Sequence, residues 1–116
     1  MAILSTGPVE NNPVSGVRPT QSVTVRIVNL SSVSTAGLLI EGHYLNTLRN
    51  LYVSEVLSVA PNEALSRDYF ADLDAFEFMF TTNGNVETEL GISVWGKQAD
   101  GQLAEVHRVV AHEKLA

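Results

Sequence analysis

Hydrophobic and polar residues alternate along most of the chain after residue 21, and this alternation predicts β-strands. In SVTVRIVN (residues 22–29), Val23, Val25 and Ile27 share one face, which is the period of two of a half-buried strand. No segment sustains a helical period. Comparable alternating or β-branched segments occupy residues 38–45, 51–59, 74–81, 89–97 and 103–110.

The clearest of these predicted strands is DAFEFMFT, residues 74–81, in which Phe76, Phe78 and Phe80 point to the same side. Three aligned rings predict the centre of a small core. Gly42 interrupts another strand and predicts a bulge or a close approach of two backbones. Residues 63–70 are a weaker candidate, because Ala64 and Leu65 also suit a helical turn.

Turn signals separate the predicted strands. Asn83-Gly84 and Asp100-Gly101 are both signals of a β-hairpin turn. Seven or eight strands with turns between them indicate an all-β, jelly-roll-like β-sandwich. We assign this domain to residues 21–116.

The first twenty residues have a different character and contain three of the four prolines, at positions 8, 13 and 19. Proline fixes φ and removes a backbone donor, so this segment is predicted to be an extended connector arm. Its sparse apolar residues are predicted to contact a neighbouring subunit. A solvated tail and packing on the arm's own domain are the alternatives. The predicted intersubunit residues are Ile3, Leu4, Val9, Val14 and Val17.

Charge and composition narrow the choice of partners. The chain carries 13 acidic and 7 basic side chains, a net charge of −6, and no cysteine. This balance argues against a nucleic-acid or anionic-membrane partner, and the absence of cysteine excludes disulfides and thiolate zinc sites. No apolar run approaches the length of a membrane span, and the N-terminus lacks the basic region of a secretory signal.

Residue types that support catalysis do not form a recognisable motif. There is no Gly-x-Ser-x-Gly elbow and no glycine-rich phosphate loop, so we predict neither an enzyme nor a cofactor or metal site. The alternative to the absence of a metal site is a calcium ion bound by Asp68, Asp72 and Asp74. This segment lacks the glycine and the terminal glutamate of an EF-hand loop. The residues weighed as ligands are His43, His107, His112, Asp68, Asp72 and Asp74.

Aromatic residues suggest a second kind of function. Trp95, Tyr44, Tyr52 and Tyr69 could form a platform on which a sugar ring stacks. On this hypothesis the protein is a surface binding module for a glycan or a protein ligand, and the arm is a linker. Alternatively, the same four side chains have a structural role and pack at the rim of the hydrophobic core.

Three long stretches resemble a known family: STGPVENNPVSGVRPTQSVTVRIVN, GHYLNTLRNLYVSEVLSVAPNEALSRDYFADLDAFEFMFTT and ISVWGKQADGQLAEVHRVV. They are similar to the endospore-appendage (Ena) pilin subunits of spore-forming Firmicutes. The resemblance implies a jelly-roll subunit whose N-terminal connector docks on a neighbour, in fibres or stacked rings at the spore surface. Several family members staple the connector through cysteines. This chain has none, so its joints must be non-covalent.

Taken together, these features predict a structural protein that self-assembles into a pilus-like fibre or stacked ring, with other copies of itself as partners. The expected location is the spore surface or an extracellular appendage, reached without a signal peptide. A spore-coat or exosporium protein is a further candidate partner, for which this chain would be an adaptor that anchors a fibre.

Overall fold

A computed structural model describes residues 2–82, 90–98, 100–107 and 110–112 of the chain. Within these residues the secondary structure consists of ten β-strands arranged in two antiparallel sheets. The strands are β1 Ala2–Ser5, β2 Val9–Glu10, β3 Ser22–Asn29, β4 Ala36–Leu45, β5 Arg49–Val59, β6 Ala64–Phe70, β7 Ala75–Thr82, β8 Leu90–Lys97, β9 Leu103–His107 and β10 Val110–His112.

The two sheets pack face to face, which confirms the predicted all-β sandwich. Sheet A has the order β10-β1-β7-β4-β5, and the short strand β2 also pairs with β7. Sheet C has the order β6-β3-β8-β9. Eight of the ten described strands follow residue 21, in agreement with the predicted seven or eight.

The core lies between the sheets and is centred on β7. Phe76, Phe78 and Phe80 are fully buried, as the alternation of DAFEFMFT predicts. From sheet C, Val23, Val25 and their neighbours face these rings, so the alternation of both strands is satisfied by one shared interior. Burial of each large side chain stabilises the fold by about 1.5–3 kcal/mol.

Gly42 marks both a bulge and a close approach, as predicted. The register of β4 against β5 shifts between Gly42 and His43. A Cβ atom placed on Gly42 would lie 2.8 Å from Cε1 of Phe78 and 3.0 Å from Cβ of Val53. Only a residue without a side chain fits between these two atoms.

The N-terminal segment follows strand β7 of its own domain, and an arm extending away from the sandwich is not seen in the described residues. Strand β1 is inserted between β7 and β10, with Leu4 opposite Phe80. Strand β2 continues along the same edge of β7, with Val9 opposite Phe76. Docking of this segment on a neighbouring subunit therefore stays a proposal. Met1 lies outside the described residues.

Two other segments refine the prediction. Residues 64–70 form a strand, because their alternate side chains face the interior when β6 pairs with β3. The Asp100-Gly101 turn is confirmed: Gly101 has φ +86° and its N–H donates to the carbonyl of Gln98. Asn83-Gly84 lies outside the described residues. Within the part of the chain described, no helix is long and apolar enough to cross a membrane.

Candidate assembly site

The five predicted intersubunit residues fall into two groups in the structure. Leu4 and Val9 are half-buried against the core, and Ile3 is half-buried opposite Thr81 on the outer face of sheet A. Val14 and Val17 are 66% and 57% exposed. Of the five, the second pair presents the largest apolar surface that a partner could bury.

Val14 and Val17 form the tip of a tight hairpin that precedes β3. The N–H of Val14 donates to the carbonyl of Val17 at 2.8 Å, and the reciprocal bond is 3.1 Å. Between them, Ser15 and Gly16 both have positive φ, 53° and 82°, as the tightest two-residue hairpin turns require. The two exposed valines are therefore held in a fixed geometry.

A groove of about 560 Å³ lies beside this hairpin tip. Arg18 anchors the hairpin there, because its guanidinium forms salt bridges of 3.1 Å with Asp72 and 2.8 Å with Asp74. The hydrogen bonds that Arg18 donates to Asp74 and, second, to Asp72 raise the pKa of Arg18. The groove is lined by Val14, Val17, Arg18, Pro19, Gln21, Gln98 and Asp100.

Asn11 fastens the N-terminal segment to the rest of the domain. Its buried amide donates to the carbonyls of Thr20, Ala71 and Leu73 at 2.6, 3.1 and 2.9 Å, and its Oδ1 accepts the N–H of Thr20 at 2.9 Å. One side chain thus joins both limbs of the hairpin to the loop between β6 and β7. The sequence singled out the prolines and valines of this segment but missed Asn11.

Polar side chains on the outer face of sheet A link β1 to the neighbouring strands through hydrogen bonds. Ser5 donates to Oε2 of Glu77 at 3.3 Å, and Arg49 donates to Oε1 of the same carboxylate at 2.9 Å. His43 lies on β4, between β5 and β7, and is only 8% exposed. Its Nδ1 has no hydrogen-bond partner among the described residues. Burial, followed by the charge of Arg49, lowers the pKa of His43.

At the opposite end of the sandwich, the loop after β3 also exposes apolar side chains. Leu30 is 64% exposed and Val33 is 84% exposed. The loop is ordered by Asn29, which donates to the carbonyl of Ser34 at 2.8 Å, and by Ser31, whose Oγ accepts the N–H of Val33 at 3.2 Å. A short loop with two apolar residues has no diagnostic sequence pattern, so this exposed surface is visible only in the structure.

The structure separates the four residues of the predicted aromatic platform. Trp95 lies on the outer face of sheet C, opposite Thr24. Tyr69 packs inward against Phe78 with ring centroids 5.6 Å apart, and Tyr52 contacts both Tyr44 and Phe78 at the β5 edge. A platform of all four is therefore not formed, and Trp95 stands apart from the tyrosines.

Tyr52 and Tyr69 lead to a prediction about alkaline stability. Burial raises the pKa of Tyr52 to about 12. Burial and the hydrogen bond to Glu55 raise the pKa of Tyr69 above its usual range as well. An unfolded tyrosine ionises near pH 10, so the contribution of these groups to stability is complete below pH 10 and is lost as the pH rises through their folded values.

We therefore expect the melting temperature to fall steeply above pH 10, and to fall less steeply in a Tyr52→Phe/Tyr69→Phe variant. Thermal unfolding followed by circular dichroism between pH 8 and 11.5 measures both slopes. The variant starts from a lower melting temperature at pH 8, because it loses the hydrogen bonds to the Phe70 carbonyl and Glu55. Identical slopes for the two proteins would assign alkaline unfolding to other groups.

The candidate metal ligands are dispersed or otherwise engaged. Asp72 and Asp74 pair with Arg18, and Asp68 accepts a hydrogen bond from Thr24. The side chains of His107 and His112 lie outside the described part of the structure. No group of three His, Cys, Asp or Glu among the described residues is arranged to hold a metal ion.

Comparison with known proteins gives a likeness of fold. No protein-family model and no curated protein matches the chain. Among solved structures, Thermotoga maritima 1070 superimposes with a TM-score of 0.57 at 9% identity, over 96% of this chain and 90% of that one. The Anabaena sensory rhodopsin transducer superimposes with a TM-score of 0.49 at 14% identity, over 80% and 85% of the two chains. At these identities the first similarity is one of fold alone.

Proposed function

We propose that this protein is a structural subunit that assembles end to end with copies of itself. The observation that carries the proposal is the rigid hairpin whose two valines, Val14 and Val17, are held outward in solvent. In an isolated monomer, exposed valines beside a two-residue turn add no hydrophobic stabilisation. They gain it only when a partner covers them.

The position of a second apolar loop supports a head-to-tail arrangement. Strand β3 runs from the hairpin at one end of the sandwich to Leu30 at the other, eight residues along the strand axis. At about 3.4 Å per residue, this places the two apolar tips roughly 27 Å apart. A contact between unlike ends repeats without limit unless its rotation closes a ring, so it builds a fibre or a stacked ring.

In this proposal the N-terminal segment has two roles. Strands β1 and β2 pair with β7 of their own chain, and the hairpin at residues 14–17 docks on the Leu30–Val33 loop of the next subunit. The resemblance to endospore-appendage pilins supports the same kind of joint and suggests the spore surface as its location. Without cysteine, the joint depends on apolar burial and hydrogen bonds.

We expect a Val14→Asn/Val17→Asn variant to fold normally and to lose assembly, because both residues are exposed and contribute little to the core. Static light scattering followed by negative-stain electron microscopy measures the result. Val56→Asn is the matched control, since Val56 is 78% exposed on β5 and belongs to neither of the two apolar tips. Point variants are needed because deletion of residues 1–15 would also remove β1 from the middle of sheet A.

Mixing two variants tests the polarity of the joint. A Leu30→Asn/Val33→Asn variant keeps its hairpin intact, whereas the hairpin variant keeps its loop intact. Each should be monomeric alone, and an equimolar mixture should form one joint per pair and stop at a dimer. Filaments from either variant alone would overturn the end-to-end model, as would a mixture that stays monomeric.

A further inference from the structure

Two positive charges in the described part of this acidic protein form no salt bridge with a described carboxylate. Five arginine and lysine side chains lie in the described residues, and salt bridges engage Arg18, Arg49 and Arg67. Arg26 and Lys97 form no ion pair within the described structure. No salt bridge within the described structure therefore neutralises these two charges, although the chain has an excess of acids.

Both unpaired cations lie beside the single tryptophan of the chain. On the outer face of sheet C, Trp95 is opposite Thr24, Arg26 is opposite Ser93, and Lys97 is opposite Ser22. Arg26 and Lys97 therefore flank the indole on its two sides along the strand direction, separated by four residues of β8, or roughly 13 Å.

The tryptophan is positioned as a stacking surface. Its Nε1 donates to Oγ of Ser93 at 2.8 Å, which fixes the plane of the ring, and the side chain is only half-buried. A shallow cavity of about 250 Å³ lies against it, lined by Thr24, Arg26, Trp95, Lys97 and Leu103. Among the described side chains, one acid is nearby: Asp68 lies opposite Thr24 on β6 and accepts a hydrogen bond from the threonine hydroxyl.

We propose that this face of sheet C binds a carboxylated oligosaccharide, with one sugar ring stacked on Trp95 and carboxylates held by Arg26 and Lys97. The apolar face of a pyranose packs well on an indole, and a carboxylate forms charge-assisted hydrogen bonds with a guanidinium or an ammonium group. The spacing of one cation on each side of the ring suits an oligomer that carries a carboxylate on successive or alternate sugars.

The same chemistry disfavours a nucleic acid. Binding of a single strand needs a continuous basic track, since most of its affinity comes from neutralised phosphates. Two isolated cations on a protein of net charge −6 do not form such a track. A carboxylated sugar instead offers a ring face that stacks on the indole and single carboxylates that two isolated cations can hold.

The single tryptophan makes the test direct, because its fluorescence reports on the proposed site alone. We expect hexa-galacturonate to change the emission of the full-length protein, and the fully methyl-esterified hexamer to bind at least tenfold more weakly. Arg26→Gln and Lys97→Gln should each weaken hexa-galacturonate binding about three- to tenfold, and the double variant more. Arg67→Gln is the matched control, because Arg67 lies on the same sheet but pairs with Glu55.

Trp95→Phe separates stacking from folding, since it keeps an aromatic ring; its binding is followed by isothermal titration calorimetry and should fall severalfold. Equal affinity for the acid and its methyl ester would overturn the proposal, as would binding that Arg26→Gln and Lys97→Gln leave unchanged. Tighter binding of a single-stranded oligonucleotide than of hexa-galacturonate would overturn it too. Light scattering of the Arg26→Gln/Lys97→Gln protein keeps this result separate from end-to-end assembly, which these variants should leave intact.

Discussion

Replacement of Asn11 by alanine is expected to destabilise the protein by about 3 kcal/mol or more. The substitution leaves the carbonyls of Thr20 and Leu73 and the N–H of Thr20 without the partner they have in the native fold. The carbonyl of Ala71 loses the amide too, but it keeps the backbone N–H of Leu73. Each buried polar group left unsatisfied costs about 1–3 kcal/mol, although entry of a water molecule would reduce the total. For a domain of this size the melting temperature should fall by roughly 10–20 °C.

The adjacent residue provides a matched control. Asn12 is exposed, and among the described residues its amide donates one hydrogen bond, to the carboxylate of Glu10 at 3.2 Å. Asn12→Ala should therefore change stability by less than about 0.5 kcal/mol. Urea unfolding followed by tryptophan fluorescence and circular dichroism gives both values. Equal effects of the two substitutions would show that Asn11 does not fasten the N-terminal segment to the domain.

Asn11 also determines how the proposed joint is built. Its bonds to Thr20 close the base of the hairpin that carries Val14 and Val17, and its bonds to Ala71 and Leu73 fix that hairpin relative to both sheets. Loss of Asn11 should consequently weaken assembly even under conditions in which the sandwich still folds. A rigid tip loses little conformational entropy on docking, so the exposed valines can be covered at small cost.

The sequence predicted those parts of the fold that a local pattern specifies. The alternation in DAFEFMFT correctly placed Phe76, Phe78 and Phe80 in the core, and the interruption at Gly42 correctly predicted a bulge. Both depend on residues within a few positions of one another. Pairing of β1 with β7 joins residues more than seventy positions apart, and a four-residue strand contains too short an alternation to be distinguished from a coil.

The candidate sites also depend on long-range contacts that a local sequence pattern does not predict. Val14 and Val17 were predicted as contact residues along with Ile3, Leu4 and Val9, but composition cannot tell which apolar residues of a segment face the core. That division depends on how the segment lies against β7. Likewise, that Arg26 forms no salt bridge among the described residues depends on where the fold places the acidic residues, because salt bridges such as that of Arg49 with Glu77 connect distant strands.

The second large effect is expected at Gly42, where alanine should destabilise the protein by about 2–3 kcal/mol. The new methyl group would lie 2.8 Å from the ring of Phe78 and 3.0 Å from Cβ of Val53. The ring cannot move aside easily, because Phe76, Tyr52 and Tyr69 pack around it with centroids 5.6–6.2 Å away. Chemical denaturation measures the loss.

Two further variants identify the cause of this loss. Gly91→Ala is the control, since its methyl group would approach only Cγ1 of the half-buried Val28, at 3.0 Å on the outer face of sheet C, and should cost less than about 1 kcal/mol. A Gly42→Ala/Phe78→Leu protein should be more stable than the sum of its two single substitutions predicts, because the smaller side chain relieves the overlap. Strict additivity would mean that backbone changes at the bulge, and not the contact with Phe78, make glycine necessary at this position.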